Sequence, residues 1–227
     1  MVYKCIVIIQ KCLRLKMKYK AILFDLDYTL YNENKFLKKV IFSSQIFTNP
    51  ILTAKEISYS FRMNSQNIIE DMLKIENLNS KSNSDHIFGI MKNIDIKLSC
   101  YNGIKEMFYK LKKDINVKTC LVTNGVPEIQ KNKLRLLNLE EYFNKIIFAN
   151  ELGSQKPNRE PFLIALKYLQ VPPELALFVG DHLKNDIEPS KMLGLDTLWI
   201  DHLKKEKTRS TYRITNPNFL STKILSL

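Results

Sequence analysis

The most constraining stretch of the sequence covers residues 21–31 and reads AILFDLDYTLY. Its first four residues are all apolar, which is typical of a short strand buried on both faces inside a parallel sheet. Asp25 and Asp27 follow directly, and side chains two residues apart at a strand end start on the same side of it. Two carboxylates held that close repel each other unless a cation or a shared proton offsets their charge. Alone, the stretch is equally typical of a strand end with solvated acids.

The composition is that of a globular protein with one sizeable core and a smaller lobe. The 227 residues are 45% hydrophobic and 26% charged, and the low counts of 6 glycines and 8 prolines argue against a disordered or repetitive chain. The formal net charge of +12 would attract anions such as phosphate esters, nucleic acid or a membrane surface. Because the lysines are interleaved with acids, we expect most of them to lie scattered on solvated faces.

The cysteines and residues 1–16 bear on the cellular compartment of the protein. None of the four cysteines has zinc-ligand spacing, so we expect reduced thiols in a cytoplasmic protein. Residues 1–16 are basic, and their apolar run at 5–9 is far shorter than the roughly 20 residues that span a bilayer. Three interpretations stay open: a transit peptide, an extension ahead of a natural start at Met17, or an added edge strand. We predict that 1–16 lie outside the core.

The rest of the chain divides into two patterns. Residues 33–98 carry apolar residues at helical spacing in four segments, with 76–85 read as a polar loop, and predict a cap of four short helices. From residue 101 onward, strands and helices alternate, which is typical of a doubly wound parallel sheet. The predicted fold class is therefore α/β, with a Rossmann-like core formed by 17–32 and 99–227 and a small inserted helical cap domain at 33–98.

Parallel sheets bind ligands beyond the carboxyl ends of their strands, so the residues that follow each predicted strand are the candidates for a site. These residues are Asp25, Asp27, Thr123, Asn124, Lys156, Asp181 and Asp186. The acids predict a site for a hard cation such as Mg²⁺, and the hydroxyl, the loop amides and the lysine predict an anion site beside it. A cation flanked by anion-binding groups suits a phosphoryl group, whose transfer relies on positioning and charge neutralisation.

Four segments carry a family resemblance: FDLDYTLY, LVTNG, the Lys156-Pro157 loop and GDHLKND. In order and spacing they resemble the four motifs of the haloacid dehalogenase-like superfamily of hydrolases, and the resemblance spans about residues 18–200. The chain most resembles the branch of the superfamily with a helical cap, which includes sugar-phosphate and nucleotide phosphatases. True dehalogenases of the superfamily lack the second aspartate of the first motif, so Asp27 indicates phosphate esters.

The resemblance implies roles for the acids. Asp25 resembles the nucleophile that forms an aspartyl-phosphate, which splits hydrolysis into two easier steps. Asp27 resembles the general acid that protonates the leaving oxygen and then the base that activates water. The carboxylates of Asp25 and Asp181, with the backbone carbonyl of Asp27, would ligate Mg²⁺.

The resemblance also assigns the anion site. Thr123 and the Asn124 amide would hold the phosphoryl group, and Lys156 would neutralise charge on it and on the nucleophile. Asp186 would orient Lys156 or a metal-bound water from the second shell of the metal site. Relatives usually carry Gly-Ala where this chain has Pro189-Ser190, and this departure bears on the placing of Asp186.

Several neighbouring residues receive structural interpretations. We expect His182 to be a solvated loop residue and His202 to lie on the surface. Asn185 or Asp186 is predicted to cap the following helix. Tyr28 either lines the mouth of the site or packs in the interior, and the sequence leaves both readings open.

The predicted function is a Mg²⁺-dependent phosphatase that hydrolyses a small phosphate monoester, of sugar-phosphate or nucleotide type, through an aspartyl-phosphate. The predicted partner is a small phosphorylated metabolite, with neither nucleic acid nor membrane expected. A phosphomutase on the same core is the first alternative. A non-catalytic binding protein is the second, although every catalytic position is filled. The particular substrate and the oligomeric state stay open.

Overall fold

The computed structural model describes residues 17–65, 67–204 and 210–227. Residues 1–16 fall outside that range, so the candidate edge strand at 5–9 lies outside the described residues. The prediction that this segment lies outside the core stays a prediction. In the part of the chain that is described, no helix combines the length and the hydropathy needed to cross a bilayer.

One six-stranded parallel sheet forms the core. Its strands are β1 (Ala21–Phe24), β2 (Lys118–Thr123), β3 (Lys145–Phe148), β4 (Ala176–Gly180), β5 (Asp196–Ile200) and β6 (Tyr212–Ile214). The spatial order is β3-β2-β1-β4-β5-β6, so the connections reverse direction on either side of β1. This confirms the predicted α/β fold with a doubly wound parallel sheet. Strand β6 was not predicted, because its two partly exposed residues flank the exposed Arg213 and form no apolar run.

Strand β1 is buried on both faces, as its uniformly apolar sequence predicts. Ile22 and Phe24 belong to one hydrophobic cluster, and Ala21 and Leu23 belong to a second cluster on the opposite face of the sheet. The strand pairs in parallel with β2 and β4 on its two sides. The residues that follow β1 therefore emerge at the centre of the carboxyl edge, where ligands of such sheets bind.

Five short helices follow β1, where the sequence predicted four. They are α1 (Glu33–Ser44), α2 (Pro50–Glu56), α3 (Tyr59–Asn64), α4 (Ile68–Lys74) and α5 (Lys81–Asn93). Each begins after a side chain that accepts a backbone N–H of the first turn, namely Asn32, Asn49, Ser58, Asn67 and Ser80. The reading of 76–85 as a loop is wrong from Lys81 onward. Ser80 starts α5 there, and its polar first turn faces solvent before Ile87 and Met91 are buried.

Five further helices cover the faces of the sheet. They are α6 (Ile104–Lys110), α7 (Pro127–Leu137), α8 (Glu160–Leu169), α9 (Glu188–Met192) and α10 (Leu220–Leu225). Wide helical turns at Leu111–Ile115 and Leu183–Ile187 extend α6 and precede α9.

The helices at 33–93 pack directly on the core. Buried residues of α1, α4 and α5 join the same hydrophobic cluster as Ile22 and Phe24. Asn132 of α7 also donates to the carbonyl of Met91 at 3.1 Å and to that of Ile94 at 3.1 Å. The two connections to this helical segment run side by side, because the Tyr101 N–H donates to the Leu30 carbonyl at 2.9 Å.

Candidate active site

The carboxyl ends of β1, β2 and β4 and the loop after β3 enclose a cavity of about 400 Å³. All of the residues singled out as site candidates line it: Asp25, Asp27, Thr123, Asn124, Lys156, Asp181 and Asp186. Arg62, Met63 and Ser65, at and just beyond the end of α3, line the cavity from the opposite side. The cavity thus lies between the sheet edge and the helical segment.

Lys156 lies between two carboxylates. Its ammonium donates to Asp25 Oδ1 at 2.7 Å and to Asp186 Oδ1 at 2.7 Å, and the three side chains are largely excluded from solvent. Asp186 Oδ2 accepts the backbone N–H of His182 at 3.0 Å. Because both of its oxygens are engaged by protein donors, the Asp186 carboxylate is fixed against Lys156.

Three acids form a cluster that fits a divalent cation. One oxygen from each of Asp25, Asp181 and Asp186 lies within 4.8 Å of the other two. The Thr29 hydroxyl lies between two of these acids, 3.0 Å from Asp25 Oδ2 and 3.4 Å from Asp181 Oδ1. Carboxylate oxygens are the donors that hard cations such as Mg²⁺ and Ca²⁺ prefer.

The pKa values of the clustered acids also indicate a cation site. Burial raises the pKa of the Asp25 carboxyl to about 7, although Lys156 opposes the rise, and the neighbouring charge of Asp186 adds to it. Burial, with the charges of Asp25 and Asp186, raises the pKa of Asp181 well above its usual range. One lysine does not offset three close carboxylates, and a bound cation would favour their ionised forms.

Asp27 has a different environment from the other acids. Its Oδ1 accepts the Lys133 ammonium at 2.8 Å and the Tyr31 hydroxyl at 2.6 Å, and its Oδ2 accepts the Gln130 amide at 2.9 Å. Burial alone would raise the pKa of Asp27, but the Lys133 charge and these hydrogen bonds lower it below the usual range. The Asp27 carboxylate lies outside the acidic cluster that fits a metal. The family resemblance implies instead that the backbone carbonyl of Asp27 is a metal ligand.

Lys133 connects Asp27 to the helical segment. Its ammonium also donates to Glu33 Oε1 at 2.6 Å, and the opposite oxygen of Glu33 accepts Arg62 Nε at 3.0 Å. Two cations and two anions therefore alternate from the floor of the cavity to α3. Sequence reasoning missed this chain of charges, although Gln130 and Lys133 share the inward stripe of α7 with Leu134 and Leu137.

The two loops of the anion site are fastened together by one side chain. Asn124 Oδ1 accepts the backbone N–H of Lys156 at 2.9 Å, and Asn124 Nδ2 donates to the Lys156 carbonyl at 2.9 Å. Thr123, at the end of β2, is buried beside them, and its hydroxyl accepts the Gln130 amide at 2.7 Å. The side chain of Asn124 is thus structural, while its backbone remains at the cavity.

The helix that carries Asp186 starts earlier than predicted. Nδ1 of His182 accepts the backbone N–H of Asn185 at 3.2 Å, so His182 is the capping residue, and Asn185 and Asp186 lie inside the first turn. His182 is half-buried in this role rather than solvated. The Ser190 hydroxyl donates to the Asp186 carbonyl, so the departure from Gly-Ala supplies a hydrogen bond that holds this turn.

Gly180 leaves room for Asp186. A Cβ at this glycine would lie 2.5 Å from Asp186 Oδ2 and 2.7 Å from Asp186 Cγ. We therefore expect Gly180→Ala to displace the Asp186 carboxylate and with it Lys156, at a cost of about 1–3 kcal/mol in the free energy of unfolding. Urea denaturation measures this cost. Gly89→Ala is the matched control, because nothing lies within 4 Å of a Cβ there. Equal stability of both variants would contradict the close packing.

Three aromatic side chains join α3 to the core. The Tyr59 ring lies 4.9 Å from the Tyr28 ring and 4.6 Å from the His202 ring, and its hydroxyl donates to the Asp181 carbonyl at 3.3 Å. Tyr28 is buried and does not line the cavity, which favours the packing interpretation. The prediction of His202 as a surface residue is wrong. Its ring is half-buried, because it packs on Tyr59 and its Nε2 lies 2.8 Å from the Tyr28 carbonyl.

Comparison with known proteins identifies the family. The sequence profile described as Haloacid dehalogenase-like hydrolase matches residues 22–200. The chain therefore belongs to this family, and the family and the hydrolase class predicted from the four motifs are confirmed.

Individual relatives include enzymes named for phosphate substrates. Glyceraldehyde 3-phosphate phosphatase of Methanocaldococcus jannaschii is 29% identical, with 80% of this chain and 84% of the relative covered. The putative pyrophosphatase PpaX of Caldanaerobacter subterraneus subsp. tengcongensis is 28% identical, with 84% and 89% covered. Among solved structures, the putative hydrolase YfnB of Bacillus subtilis bound to magnesium has a TM-score of 0.66 at 22% identity. That match covers 91% of this chain and 98% of the other, and it indicates a shared fold.

Proposed function

We propose that this protein is a divalent-metal-dependent phosphatase, with Mg²⁺ as the metal, that hydrolyses a small phosphate monoester through an aspartyl-phosphate. The observation that carries the proposal is the contact of Lys156 with Asp25 at 2.7 Å beside the acidic cluster of Asp25, Asp181 and Asp186. This arrangement sets a carboxylate nucleophile next to a cation site and a fixed positive charge. The relatives named as phosphatases support the same reaction class.

The side chains of the site divide the steps of the proposed reaction among them. Asp25 attacks phosphorus and forms the aspartyl-phosphate while the leaving oxygen departs. Asp27 in its protonated form donates a proton to that oxygen, and the resulting carboxylate then takes one from the water that cleaves the aspartyl-phosphate. The Thr123 hydroxyl and the Asn124 N–H hold the phosphoryl oxygens, and Lys156 offsets negative charge as it develops.

The carboxylates of Asp25 and Asp181, with the Asp27 carbonyl, would hold the metal, and Asp186 would support Lys156 beside it. When bound, the cation supplies charge neutralisation between the nucleophile and the phosphoryl group. The hard oxygen donors favour Mg²⁺ over softer transition metals.

In this proposal, side chains of the helical cap at 33–98 determine which phosphate ester binds. Arg62, Met63 and Ser65 line the cavity opposite the acids, and Tyr59 contacts the core beside Asp181. A cap that closes over the site would exclude stray water and contact the part of the ester that is not transferred. This proposal agrees with substrates of the sugar-phosphate or nucleotide type. A phosphomutase on the same core remains the alternative.

The proposed function is tested by assaying the purified chain against p-nitrophenyl phosphate and a set of phosphorylated metabolites. We expect hydrolysis with Mg²⁺, loss of turnover after EDTA treatment, and recovery when Mg²⁺ is returned, because a cation is needed to offset the acidic cluster. Undiminished turnover in EDTA would contradict the metal requirement. Transfer of phosphate between positions of a sugar, with an activating bisphosphate present, would favour the mutase.

A further inference from the structure

Gln130 of α7 connects two groups of the site that belong to different strands. Its Nε2 donates to Asp27 Oδ2 at 2.9 Å and to Thr123 Oγ1 at 2.7 Å, and the residue is 2% exposed. A side-chain amide has two N–H donors, so both are used on these two acceptors. The amide is therefore fixed at the junction of β1 and β2.

This contact decides where the Thr123 hydroxyl can donate. A hydroxyl has one proton, and an oxygen that accepts from Gln130 must direct that proton elsewhere. The acceptor nearest to it is the Asn124 carbonyl at 3.1 Å, and Thr123 lines the cavity. The Thr123 hydroxyl therefore acts as a donor. A phosphoryl oxygen is an acceptor, so a donor is what binding it requires.

The same contact orients the Asp27 carboxylate. Its Oδ1 is engaged by Lys133 and Tyr31, whereas its Oδ2 accepts from Gln130. Three donors fix the plane of the carboxylate, and Oδ2 keeps a lone pair for a proton in transit. Loss of Gln130 would leave the Asp27 carboxylate held through Oδ1 and remove the contact that fixes Oδ2, without removing the acid.

We propose that Gln130 is a positioning residue that aligns the acid Asp27 with the phosphoryl-binding hydroxyl of Thr123. The inference rests on the proposed function and adds to it a residue outside the four motifs. Glutamine suits this position because both of its partners are acceptors. A glutamate would bring a second carboxylate against Asp27 and lack the paired donors.

The test compares leaving groups. p-Nitrophenolate leaves without a proton, whereas an alkoxide needs one, so misalignment of Asp27 should slow an alkyl phosphate more than p-nitrophenyl phosphate. We expect Gln130→Met to lower kcat/KM for glycerol phosphate at least about tenfold more than kcat/KM for p-nitrophenyl phosphate, because kcat/KM reports the transfer to Asp25 and not the later hydrolysis that both esters share. Gln130→Glu should show the same selective loss, and thermal unfolding checks that each variant is folded.

The matched control is Asn132→Leu. Asn132 is a second buried amide on α7, but its Nδ2 donates to the carbonyls of Met91 and Ile94 and its Oδ1 accepts from Arg135, so it contacts no residue of the site. The Asn132→Leu variant should have a lower free energy of unfolding. The ratio of its rate constants for glycerol phosphate and p-nitrophenyl phosphate should equal that of the wild type. Equal loss on both esters in the Gln130 variants, or the same selective loss in Asn132→Leu, would overturn the inference. A wild-type chain that hydrolyses neither ester would overturn the proposed function instead.

Discussion

Asp25→Asn is expected to abolish hydrolysis of p-nitrophenyl phosphate, by about four orders of magnitude or more, while the protein stays folded. The amide has the size of the carboxylate but cannot attack phosphorus. It also removes one of three clustered acids, and Asp186 still pairs with Lys156 at 2.7 Å. We therefore expect the melting temperature to change little. Steady-state kinetics and thermal unfolding of the same preparation measure both effects.

Asp201→Asn is the control for that result. Asp201 is also a buried acid, paired with Arg213 at 2.6 Å, and it does not line the cavity. Its replacement should lower the melting temperature and leave turnover within a few-fold of the wild type. Normal turnover by Asp25→Asn would contradict the assignment of the nucleophile.

Lys133→Met is expected to give the largest loss of stability. The ammonium is buried and pairs with Asp27 at 2.8 Å and with Glu33 at 2.6 Å. Its removal leaves two carboxylates in the interior with less compensation, which typically costs about 3–5 kcal/mol. Urea denaturation at neutral pH measures the change in the free energy of unfolding.

A nearby lysine provides the comparison. Lys131, on the same helix, pairs with Glu151 at 3.1 Å, but both side chains are about half exposed. Lys131→Met should therefore cost less than about 1 kcal/mol. If the two variants unfolded at the same urea concentration, the buried chain of charges would not stabilise the protein as argued.

The sequence predicted the site residues that sit at strand ends. Asp25, Thr123 and Asp181 follow apolar strands, and parallel strands deliver their carboxyl ends to one edge. The local sequence pattern and the order of the strands were therefore enough to predict that these residues line one cavity. The roles assigned to these residues remain proposals that the variants above address.

The supporting residues were missed because their partners are distant in sequence. Gln130 and Lys133 lie 103 and 106 residues from Asp27, and nothing local to α7 indicates that contact. The available signal was two polar residues on an otherwise apolar inward stripe. Such a stripe predicts burial of polar groups and hence partners, but not which partners.

The helical segment illustrates a second limit. Its helices were predicted from apolar spacing, which says little about a helix whose first turn is solvated. Helix α5 was therefore started too late, although Ser80 is a capping residue by type. The face that α3 turns to the cavity depends on how the segment docks, through Tyr59 and Arg62, and that docking is tertiary.

The central claim is that phosphate is transferred first to Asp25 and then to water. It is tested most directly with a phosphate ester made chiral at phosphorus by oxygen isotopes and sulfur. Two successive in-line displacements, each inverting, should give inorganic thiophosphate with retained configuration. Inverted configuration would mean that water attacks the ester directly, and it would contradict the aspartyl-phosphate.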